Sequence, residues 1–373
     1  MMALSRADTS LLGRWWWTVD RWTLLAIGTL IGFGYVLVLA SSPAVAIRIG
    51  DSESALIVKQ VVFLATGGGV VVAVSLLSPR GVRRLAMVGC LGALLLTAFT
   101  LVHGVEIKGA RRWIALPGMA IQPSEFLKPC FAVVTAWLLV EARRTRHFPG
   151  IALALCIYVV IALLLRSQPD IGMLVVVSAV FFAQLFVNGL NIFFIGVGLV
   201  LFVLFGIFAF EYMPHVHIRI LRFLHPTETS AYQAITALQA FGNGGLLGRG
   251  PGEGRVKDIL PDAHADFVFA VAGEEFGFVV CLFIIAVFAF IVLRGLRRIA
   301  AETDMFVVLA ASGLIISFGL QAFVNMASSL ELIPTKGMTL PFISYGGSSV
   351  MSVALEMGML LALTRRRHHG DSS

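Results

Sequence analysis

Charge is scarce in this chain. Only 13% of its 373 residues are Asp, Glu, Lys or Arg and 58% are apolar, whereas soluble domains carry about a quarter charged residues. That balance excludes a large soluble core and indicates a membrane protein. Cysteine is nearly absent: Cys90, Cys130, Cys156 and Cys281 all fall within apolar runs. None has metal-ligand spacing, and they argue against a disulfide framework. No repeat of fixed period and no low-complexity linker divides the sequence, so 1–373 reads as one polytopic domain. No small-residue cleavage site precedes the first apolar run. Trp15, Trp16, Trp17 and Trp22 read instead as an interfacial aromatic belt, and no removable signal peptide is expected.

What is present is a series of apolar runs near the spanning length of about twenty residues. They cover Trp22–Leu39, Leu56–Leu77, Leu85–Val102, Phe126–Val140, Ile151–Leu165, Ile171–Val187, Leu190–Phe210, Phe267–Val292, Met305–Ala327 and Ile343–Leu363. The expected fold is an all-α polytopic membrane protein of about ten transmembrane helices. The net charge of +7 does not point to nucleic acid, because the basic residues cluster beside apolar runs: Arg6/Arg14/Arg21, Arg80/Arg83/Arg84, Arg143/Arg144/Arg146, Arg294/Arg297/Arg298 and Arg365/Arg366/Arg367. By the positive-inside rule these connections are cytoplasmic. Both termini (a 1–21 tail and a 365–373 tail) then lie inside. The 103–124, 166–170, 211–266 and 328–342 connections lie outside, the largest of them between helices 7 and 8.

Every segment with chemical character falls on that outer side. The 211–266 connection, expected to be without regular structure, holds Arg219, Arg222, Arg249, Glu253, Arg255, Lys257, Asp258, Asp262, His264 and Asp266. Connections of such length tend to be functional. Its stretch Gly242-Asn-Gly-Gly-Leu-Leu-Gly-Arg-Gly-Pro-Gly-Glu-Gly254 lacks the Lys-Ser/Thr ending of a phosphate loop, although its amides remain suited to an anion. Asp262 and Asp266 are four apart, as on one helical face. Asp266 abuts the apolar run Phe267–Ala272, an environment that suits a carboxylate to act as a base. Earlier in the chain, Gln122-Pro-Ser-Glu125 reads as a helix start, and Lys128 lies one turn inside beside Glu125. Arg111 and Arg112 suit an anionic ligand such as a lipid pyrophosphate, or mark the interface. Asp170 reads as a helix cap, a ligand contact, or both. Glu274, Glu275 and Glu356 lie inside apolar runs, where ionisable groups are functional or are buried partners; Lys128 and Lys336 are the available cations.

Together these motifs resemble the SEDS family (shape, elongation, division and sporulation) of polytopic peptidoglycan polymerases. The matching pieces are Gly109-Ala-Arg-Arg-Trp-Ile with Gln122-Pro-Ser-Glu, Gln168-Pro-Asp-Ile-Gly, Tyr232-Gln through Gly248, Leu260-Pro-Asp-Ala-His-Ala-Asp-Phe-Val-Phe with Gly273-Glu-Glu-Phe-Gly, and Pro334 through Ser349. They occur in family order over nearly the whole chain. The Ala40-Ser-Ser-Pro region and Gly250-Pro-Gly-Glu-Gly look more like the division members than the elongation members. Met173 and Pro251-Gly-Glu-Gly depart from the usual pattern and put fine loop geometry in question.

The resemblance implies a glycosyltransferase that polymerises lipid II during septal wall synthesis in the bacterial inner membrane. The 4-hydroxyl of one GlcNAc would attack C1 of another unit's MurNAc and displace the lipid pyrophosphate. Asp266 matches the family's essential loop aspartate and would be the general base. Arg111, Arg112, Lys128 and Lys336 would stabilise the leaving group, and Gln122, Glu125, Asp170, His264 and Ser344 are carried over as substrate contacts. No cofactor is specified; a divalent cation, Mg2+ or Mn2+, would assist departure, but no ligand cluster marks its place. The implied partners are a class B penicillin-binding protein (a transpeptidase) and the regulatory subunits of the divisome. Competing readings are a lipid II flippase and a non-catalytic scaffold for the transpeptidase.

Overall fold

Each of the ten apolar runs lies in a helix. The computed structural model describes residues 10–49, 53–107, 109–116, 119–225, 232–334 and 337–365; Lys108, Lys336, residues 1–9 and residues 366–373, Arg366 and Arg367 among them, lie outside these. The helices over the runs are α2 (Arg21–Ile49), α3 (Glu53–Ser75), α4 (Pro79–His103), α5 (Pro123–Arg144), α6 (Gly150–Ser167), α7 (Ile171–Val187), α8 (Ile192–Tyr212), α12 (Val268–Ala300), α13 (Met305–Ser329) and α14 (Gly347–Leu363), the last starting four residues after its run does. A short α1 (Leu11–Thr18) precedes them. Seven of the helices are long and apolar enough to cross a membrane, while α7 and α14 are shorter apolar helices.

The sequence dictates these boundaries locally. Ser78, Asp170, Asn191 and Asp304 each accept a bond from a first-turn amide at a helix start, satisfying donors that the helix itself leaves free. Along α4, Ala86, Cys90, Ala93 and Thr97 are buried, while Val88, Leu91 and Leu95 on the other face are exposed. An exposed stripe of large aliphatics on a long helix is suited to hydrocarbon, not water. The innermost helices are α5, α7, α13 and α14, around a core containing Phe131, Phe181 and Phe318.

Two connections differ from the all-α expectation. The 103–124 segment forms a three-stranded antiparallel sheet of β1 (Val105–Ile107), β2 (Ala110–Leu116) and β3 (Met119–Ile121). This connection was read as an outer loop without assigned structure; Arg111, Trp113 and Ile114 lie on β2. The 211–266 segment is ordered as well, with α9 (Pro214–Leu224), α10 (Tyr232–Gly244) and α11 (Val256–Ile259). It is not structureless, because α10 packs onto α12. A Cβ on Gly244 would lie 1.9 Å from the Gly273 carbonyl oxygen, so only glycine permits that approach.

At the end opposite the 211–266 segment, Asp20 fastens α2 to α12. Its carboxylate accepts from Arg294 Nε and Nη2 at 2.7 and 2.8 Å and meets Arg298 Nε at 2.7 Å. Burial alone would raise the Asp20 pKa, but the Arg294 and Arg298 guanidiniums outweigh it and hold the carboxyl below its ordinary value. A depressed carboxyl pKa gives stability that is fully present above the ordinary carboxylate range and is lost as pH falls through the depressed value. Asp20→Asn is expected to cost about 3 kcal/mol at neutral pH, as when one side of a buried ion pair is removed. The melting-temperature gap between variant and wild type in detergent should close as the pH is taken down through that range. A gap independent of pH would show that the carboxylate charge is not what matters.

Candidate functional site

The sheet, α9, the start of α12 and the 337–349 segment enclose a cavity of about 710 Å³. Asp266 reaches it from the turn that precedes α12. The turn is held through its backbone. The Asp262 carbonyl, at φ 55, accepts from the amides of Ala265 and Asp266. Asn325 Nδ2 donates to the Asp266 carbonyl at 3.0 Å and to that of Met338 at 2.6 Å. Ser344 Oγ donates to the Ala265 carbonyl at 2.5 Å and accepts from the Leu340 amide at 2.8 Å. The Tyr345 amide donates to the His264 carbonyl at 2.9 Å, and the two rings lie 5.1 Å apart. Asn325 and the 337–349 segment therefore hold the turn that carries Asp266 through its backbone carbonyls. Gly337, at φ 64, brings backbone close to it: a Cβ there would be 3.4 Å from Asp266 Oδ2. Asp262 and Asp266 both line the cavity, but in a turn; regular helix begins only at Val268.

Three guanidiniums share the cavity wall: Arg112, Arg219 and Arg222. Arg112 is anchored by donation to the carbonyls of Gln168 and Pro169, both at 2.6 Å, and by an ion pair with Asp170 at 3.2 Å. Asp170 also accepts from the Met173 amide at 3.2 Å, so it caps α7 and lines the cavity at once. Arg219 and Arg222 are three apart on amphipathic α9 and share its face. Burial pushes the Arg219 guanidinium below its ordinary value; Arg112 and Arg222 push the same way, while Asp170 and Asp266 oppose. Neither Arg219 nor Arg222 was singled out from sequence as a ligand contact; their i, i+3 spacing beside apolar residues was the available signal.

The other expected contacts divide. Gln122 and Glu125 line the cavity. Arg111 does not: its side chain is exposed and meets Glu106 at 3.4 Å. Lys128 is buried behind the wall, where Nζ donates to Glu125 Oε2 at 2.7 Å and to Gln321 Oε1 at 2.5 Å. Gln321 Nε2 in turn reaches the Thr339 carbonyl at 3.0 Å and Ser349 Oγ at 3.4 Å, and Thr339 and Ser349 line the cavity. His264, within the Asp262–Asp266 turn, and Ser344, which holds that turn, are outside the cavity lining. Lys336 lies outside the described residues. Among the described residues no group of three or more His, Cys, Asp or Glu side chains gathers to hold a metal ion.

Glu274 and Glu275 have partners other than Lys128. The glycine-rich loop closes over them. The amides of Arg255 and Val256 donate to Glu274 at 3.2 and 2.9 Å, and that of Gly252 donates to Glu275 at 3.0 Å. Lys257 Nζ sits 2.6 Å from Glu275 Oε1. The anion that this loop's amides approach belongs to the chain itself.

With this geometry in place, comparison with known proteins is decisive. The model of the FtsW/RodA/SpoVE family, described as cell cycle protein, matches residues 21–369. The chain belongs to this family. It is 42% identical to the probable peptidoglycan glycosyltransferase FtsW of Caulobacter vibrioides, over 98% of this chain and 94% of that protein. It is 34% identical to the protein of the same name from Geobacter metallireducens, over 93% and 95%. Among solved structures, a chain of a peptidoglycan synthase complex that coordinates polymerization and crosslinking superposes with a TM-score of 0.78. It shares 28% identity and covers 93% of this chain and 97% of that one. The Thermus thermophilus rod shape determining protein RodA gives 0.69 at 27% identity, over 94% and 97%. The family match spans residues 21–369, and the likeness to solved structures covers 93–94% of the chain.

Proposed function

We propose that this family member is a peptidoglycan glycosyltransferase that polymerises lipid II at the division septum of the bacterial inner membrane. In this reading it is a single polytopic domain with ten spans and cytoplasmic termini. The observation that carries the reading is the meeting in one cavity of a backbone-held carboxylate, Asp266, with three guanidiniums, Arg112, Arg219 and Arg222. Glycosyl transfer from a lipid pyrophosphate needs both. A base must take the proton of the attacking 4-hydroxyl, and fixed positive charge must stabilise the diphosphate as the bond to C1 breaks. Arginine suits the second task because its planar donor fork matches phosphate oxygens and stays charged. Glu125, Gln122 and Ser349, also on the wall, supply acceptors and donors for sugar hydroxyls.

The resemblance to a chain from a complex that couples polymerization with crosslinking supports a transpeptidase partner, here a class B penicillin-binding protein, with divisome subunits regulating the pair. The test is glycan formation from lipid II by the purified complex, run with wild type and with Arg219→Ala/Arg222→Ala. Wild type should make strands. The variant should raise KM for lipid II by roughly tenfold or more, as two charge-assisted contacts are lost. An intact complex that makes no strands but moves lipid II across liposome membranes would replace this reading with the flippase.

A further inference from the structure

Two hydroxyls on the cavity wall carry one hydrogen more than the protein uses. Thr339, in the 337–349 segment, and Ser349, in the first turn of α14, both line the cavity, and their oxygens lie 2.5 Å apart. At that distance one hydroxyl donates to the other. Each has a single hydrogen, so one of the two is spent between them. The second meets no acceptor among the described residues. The other partner of both oxygens is Gln321 Nε2, at 3.3 Å from Thr339 Oγ1 and 3.4 Å from Ser349 Oγ, and an amide nitrogen donates without accepting.

The direction of the Gln321 amide decides this, and its neighbours fix it. Gln321 lies on α13 and is buried. On one side the buried Lys128 ammonium stands 2.5 Å from Oε1. An ammonium has three donors and no acceptor, so the amide turns its oxygen to Lys128. On the other side Nε2 donates to the Thr339 carbonyl at 3.0 Å. A flipped amide would set donor against donor at Lys128 and oxygen against oxygen at Thr339. Asn325, one turn along the same face of α13, donates to the Met338 carbonyl at 2.6 Å, so one helix face holds two successive carbonyls of the segment. Lys128 is itself held by Glu125 at 2.7 Å. Fixed donors thus run from the buried ammonium through Gln321 to the hydroxyl pair, and the last hydrogen is left on the cavity wall.

We propose that Thr339 and Ser349 act as one hydrogen-bond donor to an acceptor oxygen of the bound ligand, and that Gln321 is the positioning residue that keeps this donor available. The inference rests on the reading of the cavity as a lipid II site. Lipid II offers such oxygens on its diphosphate and on the acetamido groups of its disaccharide.

The test uses the assembled complex with Thr339→Val, Ser349→Ala, the two together, and Gln321→Glu. Removing either hydroxyl leaves the other with its own hydrogen; removing both leaves none. The rise in KM for lipid II in the double variant should therefore exceed the product of the rises in the singles and reach about tenfold, the scale of one lost hydrogen bond. Gln321→Glu keeps the shape and the Lys128 contact but turns an acceptor oxygen toward the hydroxyls, drawing both hydrogens inward. KM should rise about as far as in the double variant although both hydroxyls are present, with melting temperature as the check on folding. A double variant no worse than the product of the singles, or wild-type KM in a folded Gln321→Glu complex, overturns the proposal. If Gln321→Glu does not fold, the hydroxyl variants decide. The melting shifts produced by lipid II and by undecaprenyl pyrophosphate place the acceptor. Loss of both shifts in the double variant puts it on the diphosphate, and loss of the lipid II shift alone puts it on the disaccharide. If wild type makes no strands, the polymerase reading fails and these shifts judge the donor separately: a double variant shifted by both lipids as wild type is, or a wild type shifted by neither, overturns it.

Discussion

Asp266→Asn should lower lipid II polymerisation by roughly a hundredfold to ten-thousandfold, the usual contribution of a general base, while the protein folds and assembles as wild type does. The two halves of that expectation have separate structural grounds. The contacts from Asn325, Ser344 and Tyr345 fix the Asp262–Asp266 turn through the carbonyls of Asp266, Ala265 and His264, and an amide at position 266 leaves all of them intact. The isosteric change removes proton-accepting capacity in a cavity that Arg112, Arg219 and Arg222 also line. The measurement is strand formation by the purified complex, with melting temperature as the check on folding. A variant that melts as wild type does and polymerises at the wild-type rate would remove Asp266 from the mechanism. Asp266→Ala should behave alike; a larger loss there than with Asn would assign part of the effect to shape.

The helices over the ten runs were legible in the sequence because hydrocarbon-length apolar runs are local signals. Asp170 was readable both as cap and as cavity residue for the same reason: cap geometry depends on the next three residues. What escaped was tertiary. Lys128 could be seen to sit near Glu125 at i, i+3, but only the packing of α13 on α5 shows that it turns to Gln321 and away from the cavity. Ser344 carries the family motif, yet its hydroxyl is consumed between Ala265 and Leu340. Its role is to hold the turn. Arg219 and Arg222 were lost in a segment expected to be irregular, where helical periodicity was not sought. The amides of the glycine-rich loop were read only as suited to an anion, without one being named. Its partners are Glu274 and Glu275, and their place beneath residues 244–257 follows from a break in α12 that spacing alone does not reveal.

That break leads to the second large effect. Gly277 adopts φ 79 inside α12, a conformation that strains any residue with a side chain, and the helix loses its own bonds there. Residues 245–250 replace them. The amides of Phe278 and Val279 donate to the carbonyls of Gly245 and Leu246, and the amides of Arg249 and Gly250 donate to those of Glu274 and Glu275. The clasp is then locked by Lys257, whose ammonium meets Glu275 Oε1 at 2.6 Å, the Ala40 carbonyl at 2.9 Å and the Gly252 carbonyl at 3.0 Å. Lys257→Met should destabilise the protein by about 3 to 5 kcal/mol, because it strands Glu275 as a buried, uncompensated charge. Adding Glu275→Leu should recover most of that loss, since an apolar pair of similar volume replaces a buried ion pair at little net cost. Melting of the three variants in detergent decides the matter: a Lys257→Met protein that melts with wild type would mean the pair is not holding the loop. Polymerisation carries the argument from stability to function. The clasp ends at Val256–Ile259, directly before the turn that presents Asp266, so Lys257→Met should lose activity in step with the loosened loop. The double variant should regain it only as far as its loop is held again.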